Sequence, residues 1–283
     1  MSLAKCLPHS LTCSLSRQVT IESLSYKVLL KIFRYYLEAS PRFWPVLAHI
    51  CHRWRRIFFG CFRLYFTHGT PVSKTVYCWP ALPIVVAYGG SPVLNPPAAE
   101  DEDNIIAALK QSDRVSSISL TVTSSLLEKL STIERPFSEL EELVLLSRGS
   151  EGLTVPSAFR WGPRLCRLRS TGVAFPALLQ LLHSSRNLVD LQLHNFYDPS
   201  HFKPEVLMNA LSGMVQLQSL SLHLPSTAYR LDPPFGKRVA LPVLTCLNFR
   251  GNSEYLENLV TRIDAPRLDH IEVTFFKIGR AHV

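Results

Sequence analysis

Two apolar periods divide this chain. Between Leu24 and Leu37, Val28, Leu29, Ile32, Phe33, Tyr36 and Leu37 recur at steps that fall on one face of an α-helix. Ser25 is placed to cap that helix, and Ser40-Pro41 to end it. A second set, Leu47, Ile50, Cys51, Trp54, Ile57 and Phe58, keeps the helical step and throws His52, Arg53, Arg55 and Arg56 onto the opposite face. The spacing predicts two short amphipathic helices around a proline-marked break. Two such helices cannot bury all that apolar surface against each other, so they call for a partner.

After residue 60 the period changes. "RLYFTHGTPV" and "LPIVVAY" read as strands. "YGGSPVLNPPAAEDED" (88–103) is rich in Gly and Pro and then acidic, which predicts a linker leading into a short helix at about 104–112. From there the pattern L-x-x-L-x-L appears seven times, starting at 115, 140, 165, 188, 217, 244 and 268. The steps are 25, 25, 23, 29, 27 and 24 residues, within or near the spacing of leucine-rich repeats, which these segments resemble. Each predicted strand alternates inward and outward side chains. Second apolar segments such as "FPALLQLLHSS" and "PEVLMNALSGM" carry helical spacing. One repeat cannot bury its own apolar edge, so neighbours must stack to complete a core. The copies are irregular: the motif's asparagine occurs once, as Asn252, and Ser170 replaces a leucine.

The N-terminal pair also resembles a known family. Leu24-Ser25-Tyr26-Lys27-Val28, then Ile32-Phe33-Arg34-Tyr35-Tyr36-Leu37, then Ile50-Cys51-His52-Arg53-Trp54-Arg55-Arg56-Ile57 follow the order of the F-box, L-P-x-E-[IV], I-F-x-[YF]-L and [VI]-C-[RK]-x-W-R-x-[IL]. Two positions depart: Ser25 stands where the family has proline, and Lys27 where it has an acidic residue. In the family both lie on the surface presented to the Skp-type adaptor.

The whole chain is thus similar to F-box and F-box-like leucine-rich-repeat proteins of the fungal type. The resemblance implies an α/β fold: short F-box helices, then an irregular repeat solenoid with parallel strands on a concave face and helices outside. It implies an N-terminal tail (1–19), an F-box-like domain (20–60), a cap and linker (61–103), and a repeat domain (104–277). It also implies a substrate-recognition subunit of a Skp–cullin–F-box ubiquitin ligase, which holds a target protein near the bound E2 and performs no chemistry itself. The residues implied on or behind the adaptor contact are Leu24, Val28, Leu29, Ile32, Phe33, Ile50, Cys51, Trp54 and Ile57. On the concave face one row reads Ser119, Val144, Arg169, Gln192, Ser221, Asn248, Glu272, and the next Thr121, Leu146, Thr171, His194, His223, Arg250, Thr274. From these, Arg169, Gln192, His194, His223, Asn248 and Arg250 are the expected target contacts, suited to an acidic or phosphorylated segment. The alternatives are an F-box-like scaffold without a ligase, and, for the rows, a merely solvated sheet face.

Composition narrows the classes further. The apolar fraction of 47% and the charged fraction of 18% describe a folding chain, and no apolar run reaches the roughly 18 residues a membrane span needs. The net charge of +8 is uneven: residues 1–80 hold eleven Lys and Arg against Glu22 and Glu38, and the remainder holds 19 basic and 20 acidic residues. The N-terminal part therefore faces something acidic. A nucleic-acid module is the rival reading, but Trp54 belongs to the apolar helical face and is not placed to stack on bases. Membrane and nucleic-acid partners are not expected. Seven scattered cysteines without CxxC or metal spacing suit a reducing compartment, cytosol or nucleus. No P-loop, GxSxG, HExxH or dinucleotide fingerprint occurs, so neither catalysis nor a cofactor or metal is expected. The last six residues, "IGRAHV", leave the repeat and match one reading frame of a common sequencing adapter. They are expected to be a non-native tail (278–283) behind an open apolar edge.

Overall fold

A computed structural model describes residues 23–39, 44–61, 63–67, 72, 76, 82–88, 99–147, 155–173, 178–195, 204–224 and 238–276. The expected tail at 1–19, most of the expected linker and the segment 278–283 lie outside the described residues. The chain forms two compact units, 1–61 and 62–283.

The first unit holds α1 (Tyr26–Ala39), α2 (Trp44–Ile50) and α3 (His52–Cys61). Ser25 caps α1, its Oγ accepting from Val28 N at 3.4 Å and its carbonyl from Leu29 N at 3.0 Å. The single helix expected over Leu47–Phe58 is in fact two, broken at Cys51. Cys51 starts the second one: its carbonyl accepts from Arg55 N at 3.0 Å and its Sγ from Trp54 N at 3.4 Å. A cap of this kind satisfies helix N–H groups that would otherwise be orphaned. The apolar step runs on through the break, which is why periodicity does not reveal it.

The second unit is α/β. Its strands are β1 (Leu64–Phe66), β2 (Ile84–Tyr88), β3 (Val115–Val122), β4 (Glu142–Ser147), β5 (Arg167–Thr171), β6 (Asp190–His194), β7 (Ser219–His223), β8 (Val239–Ala240), β9 (Cys246–Gly251), β10 (Ile263–Asp264) and β11 (His270–Phe275). Nine of them form one parallel sheet in the order β1-β2-β3-β4-β5-β6-β7-β9-β11; β8 and β10 form a small parallel pair. Within the nine-stranded sheet the strands follow chain order, β8 and β10 being left out of it. Parallel neighbours require a crossover, and α4 (Ala99–Leu109), α5 (Ser124–Leu130), α6 (Leu178–Ser184), α7 (Pro204–Leu211) and α8 (Ser253–Val260) lie in such crossovers. A 3-10 turn, Ser157–Arg160, stands in for a helix between β4 and β5.

Register follows the leucine pattern. Ile118, Leu143, Leu168, Leu191, Leu220 and Leu247 lie side by side in one row, and Leu120, Leu145, Ser170, Leu193, Leu222 and Phe249 in the next. All are buried, as are Leu140, Leu165, Leu188, Leu217 and Leu244, which open the repeats. A one-residue slip would turn every one of these leucines to solvent, so the apolar alternation pins the pairing. Asn252, the motif's one asparagine, caps α8: its Oδ1 accepts from Glu254 N at 2.8 Å.

The helix expected at about 104–112 instead runs from Ala99 to Leu109, so the acidic run is its first turn and not a linker. Glu100, Asp101 and Glu102 sit where a helix favours negative charge. Glu102 is buried and accepts from Thr123 Oγ1 at 3.1 Å, Ser125 Oγ at 2.6 Å and Lys129 Nζ at 3.2 Å. Burial pushes its carboxyl up, but the bonds from Ser125, Lys129 and Thr123 outweigh that and hold it below the ordinary glutamate range. One carboxylate thereby fastens α4 to the start of α5, whose N-cap is the same Thr123. The sheet runs on without a break past residue 104, with β1 and β2 in it.

Candidate functional site

In the first unit the residues expected at the adaptor contact separate into three sets. Leu29, Phe33, Trp54 and Ile57 are buried. Phe33 meets Trp54 edge-on with ring centroids 4.7 Å apart, and Phe58 at 6.4 Å. These side chains hold the helices together and are not available to a partner. Val28 (41% exposed), Ile32 (40%) and Ile50 (49%) face solvent, as does Tyr35 (76%). Leu24 and Cys51 are half-buried, and the Leu24 carbonyl accepts from the Arg53 guanidinium, which ties α3 to the start of α1.

Val28, Ile32 and Tyr35 stand at i, i+4 and i+7 of α1, an apolar stripe on the helix surface. Lys27, Lys31 and Arg34 run beside it at the same spacing, all exposed. Among the described residues this apolar stripe is left exposed, with a one-signed basic margin beside it. The buried indole Nε1 of Trp54 finds no acceptor among the described residues, so Trp54 serves packing and not recognition by hydrogen bonding.

The second unit offers the other sheet face, over which the side chains are mostly polar and mostly half-exposed or exposed. Pairing places Ser119, Val144, Arg169, Gln192, Ser221, Asn248 and Glu272 in one row, and Thr121, Leu146, Thr171, His194, His223, Arg250 and Thr274 in a second. All six residues expected as target contacts therefore share two adjacent rows. Sequence reasoning missed a third row: Ser117, Glu142, Arg167, Asp190, Ser219, Cys246 and His270. It is legible as the position just before each second leucine of the motif.

The two histidines do not carry the charge the acidic-segment expectation needs. His194 and His223 stack face to face, centroids 3.8 Å apart and planes 9° from parallel. Burial, with His223 and Arg169 nearby, pushes His194 down to about 4. Burial also lowers His223, against the opposing influence of its Asn248 hydrogen bond. Both rings are neutral at pH 7, so Arg169, Arg250 and the more distant Arg167 supply the positive charge of this face. Arg250 lies over the Phe276 ring at 5.6 Å.

Among the described residues no group of three His, Cys, Asp or Glu could hold a metal ion, and no helix is long and apolar enough to cross a membrane. Neither protein-family models nor curated protein sequences match this chain.

Proposed function

We propose that the chain is a substrate-recognition subunit of a Skp–cullin–F-box type ubiquitin ligase, non-catalytic in itself. The α1 stripe docks on the Skp-type adaptor, through it the cullin is recruited, and the open sheet face of the repeat-like unit holds a target protein. The observation that carries this reading is the split in the F-box-like residues. One subset packs a small core, Leu24 and Cys51 are half-buried, and Val28, Ile32 and Ile50 are left as an apolar surface exposed among the described residues. A helix that needed only its own core would not expose branched aliphatic side chains at helical spacing.

A scaffold that no longer engages a ligase is the second reading. It is favoured by Lys27, exposed beside Val28 where the family carries an acidic residue. Binding of the full chain to a purified Skp-type adaptor at moderate salt separates the two. Saturable binding abolished by Ile32→Asp, with helicity intact by circular dichroism, supports the ligase receptor. A folded chain that does not bind supports the scaffold. Ile32 is the informative position, because Trp54→Ala would lose binding through loss of the core.

A further inference from the structure

The open face changes character from one end of its strands to the other. The row nearest the strand N-termini carries Glu142, Arg167 and Asp190 in alternating sign, Arg167 Nη1 lying 4.0 Å from Glu142 Oε1. The row nearest the C-termini, from Thr121 to Thr274, contains no carboxylate. Its centre is the His194–His223 stack. His194 Nε2 lies 3.0 Å from Ser221 Oγ, and His223 Nε2 lies 3.4 Å from Asn248 Oδ1. Behind the rings the backbone is fixed: the carbonyls of His194, His223 and Arg250 accept from the N–H groups of Gly172, Asn195 and Leu224 at 2.9, 2.9 and 2.8 Å. Gly172 and Asn195 make these bonds with φ of 66° and 54°, the left-handed region.

The charged groups facing the pair, among the described residues, are Arg169 on β5, Arg250 on β9 and Glu272 on β11. The Glu272 carboxylate is already engaged by Asn248 Nδ2 at 2.9 Å. Asp190 on β6 accepts from Gln192 at 3.0 Å, and Arg167, Cys246 and His270 belong to the far row. No ion pair holds a proton on either ring. The strip is therefore a set of fixed donors and arginines around two rings that burial keeps toward the neutral form.

We propose that this C-terminal row is a proton-linked binding strip for an extended acidic peptide, whose carboxylates seat among Arg169, Arg250 and the two histidines and draw protons onto the rings. It rests on the reading of the open face as the target-binding surface. The linear layout favours an extended peptide: His194, His223 and Arg250 occupy three successive strands, about 10 Å from first to last. That span suits anionic residues two or three apart. An opposite charge within about 4–6 Å favours the imidazolium, so peptide and proton each strengthen the other's binding. Affinity therefore rises as pH falls from neutrality toward 5.5, where aspartate and glutamate remain mostly ionised.

The test is calorimetric titration of the full chain with a ten-residue Asp/Glu peptide and its Asn/Gln counterpart, at pH 7.5 and 5.5, in buffers of different ionisation heat. The expected result is binding of the acidic peptide alone, about tenfold tighter at pH 5.5, with net proton uptake. The double variant His194→Gln/His223→Gln should lose the uptake and the pH dependence, and Arg169 and Arg250 alone should then leave one affinity at both pH values. Arg250→Gln should weaken binding at both pH values. A folded chain that binds neither peptide, or uptake that survives in the double variant, overturns the strip. Adaptor binding measured on the same samples separates the two readings. Retained adaptor binding without peptide binding sinks the strip alone; peptide binding without adaptor binding sinks the ligase role and leaves the strip standing.

Discussion

The two edges of the nine-stranded sheet carry the same kind of side chain and meet opposite fates. At one edge Leu64 and Phe66 of β1 are fully buried. At the other, Ile271, Val273 and Phe275 of β11 continue the core-face positions of Leu247, Phe249 and Gly251, yet Ile271 is 58% and Phe275 51% exposed. Apolar alternation made both strands. Burial came only where a further layer covered the strand, and β11 has none among the described residues. The alternation of a strand thus specifies which way its side chains face, while the neighbouring layer decides whether facing that way is worth anything.

The sharpest way to break the comparison is to truncate one aromatic at each edge. Phe66→Ala should cost about 3–5 kcal/mol, because it opens a cavity in a packed site. Phe275→Ala should cost about 0.5 kcal/mol or less, as at an ordinary surface position. Urea denaturation of the two variants reads the difference directly, and equal losses would show that β11 is covered in solution.

Next in size is the fastening of the covered end. Glu102→Gln takes the carboxylate from two hydroxyls and from Lys129, which keeps Asp103 at 2.8 Å, and should cost about 1–3 kcal/mol at neutral pH. Because the Glu102 carboxyl is held below its ordinary value of 4.5, its stabilisation is present above that pH and lost as pH falls through its lowered folded value. The stability curves of wild type and variant should therefore converge on acidification below 4.5. A gap that stays constant into acid would mean that the contribution is steric and not ionic.

Ser170 refines the rule from the middle of the sheet. It lies in the core row between Leu145 and Leu193, fully buried, and its Oγ has no partner among the described residues. A buried hydroxyl without a hydrogen bond is a net cost, so Ser170→Ala should stabilise the chain by about 1 kcal/mol, seen as a raised urea midpoint at unchanged slope. A loss of stability would reveal an ordered water satisfying the hydroxyl.

Much of this arrangement was legible in the residues. The seven-fold leucine pattern located β3, β4, β5, β6, β7, β9 and β11, and with a side-chain period of two it also fixed which residues share a row. The pairing of His194 with His223 and Arg250 follows from counting alone. The break at Cys51 did not, since a thiol and a carbonyl cap a helix without disturbing its apolar step. The start of α4 at Ala99 did not, because an acidic run has the composition of a linker whether or not a helix dipole and Thr123, Ser125 and Lys129 give it partners. Nor did the neutrality of the histidines, which depends on burial and ring stacking between strands 29 residues apart. The division of the F-box-like residues into core and surface likewise needed the packing of Phe33 on Trp54.

The smallest expected effect on folding is also the one that states most directly what an uncovered edge does. Val273→Lys places a charge on the core-facing side of β11, where its neighbours Ile271 and Phe275 are exposed. At a covered strand such a change would be severe, because a buried unpaired ammonium is among the costliest single changes. Here it should alter the unfolding free energy by no more than about 0.5 kcal/mol. Its effect should instead appear in association: an exposed strand edge with an apolar face is a template for pairing with other chains, and lysine is the residue that blunts such edges. Light scattering of wild type at rising concentration should show growth that the Val273→Lys variant suppresses, with little change in midpoint temperature. If the variant unfolds as readily as Phe66→Ala, the edge has a cover, and the contrast between the two ends of the sheet is lost.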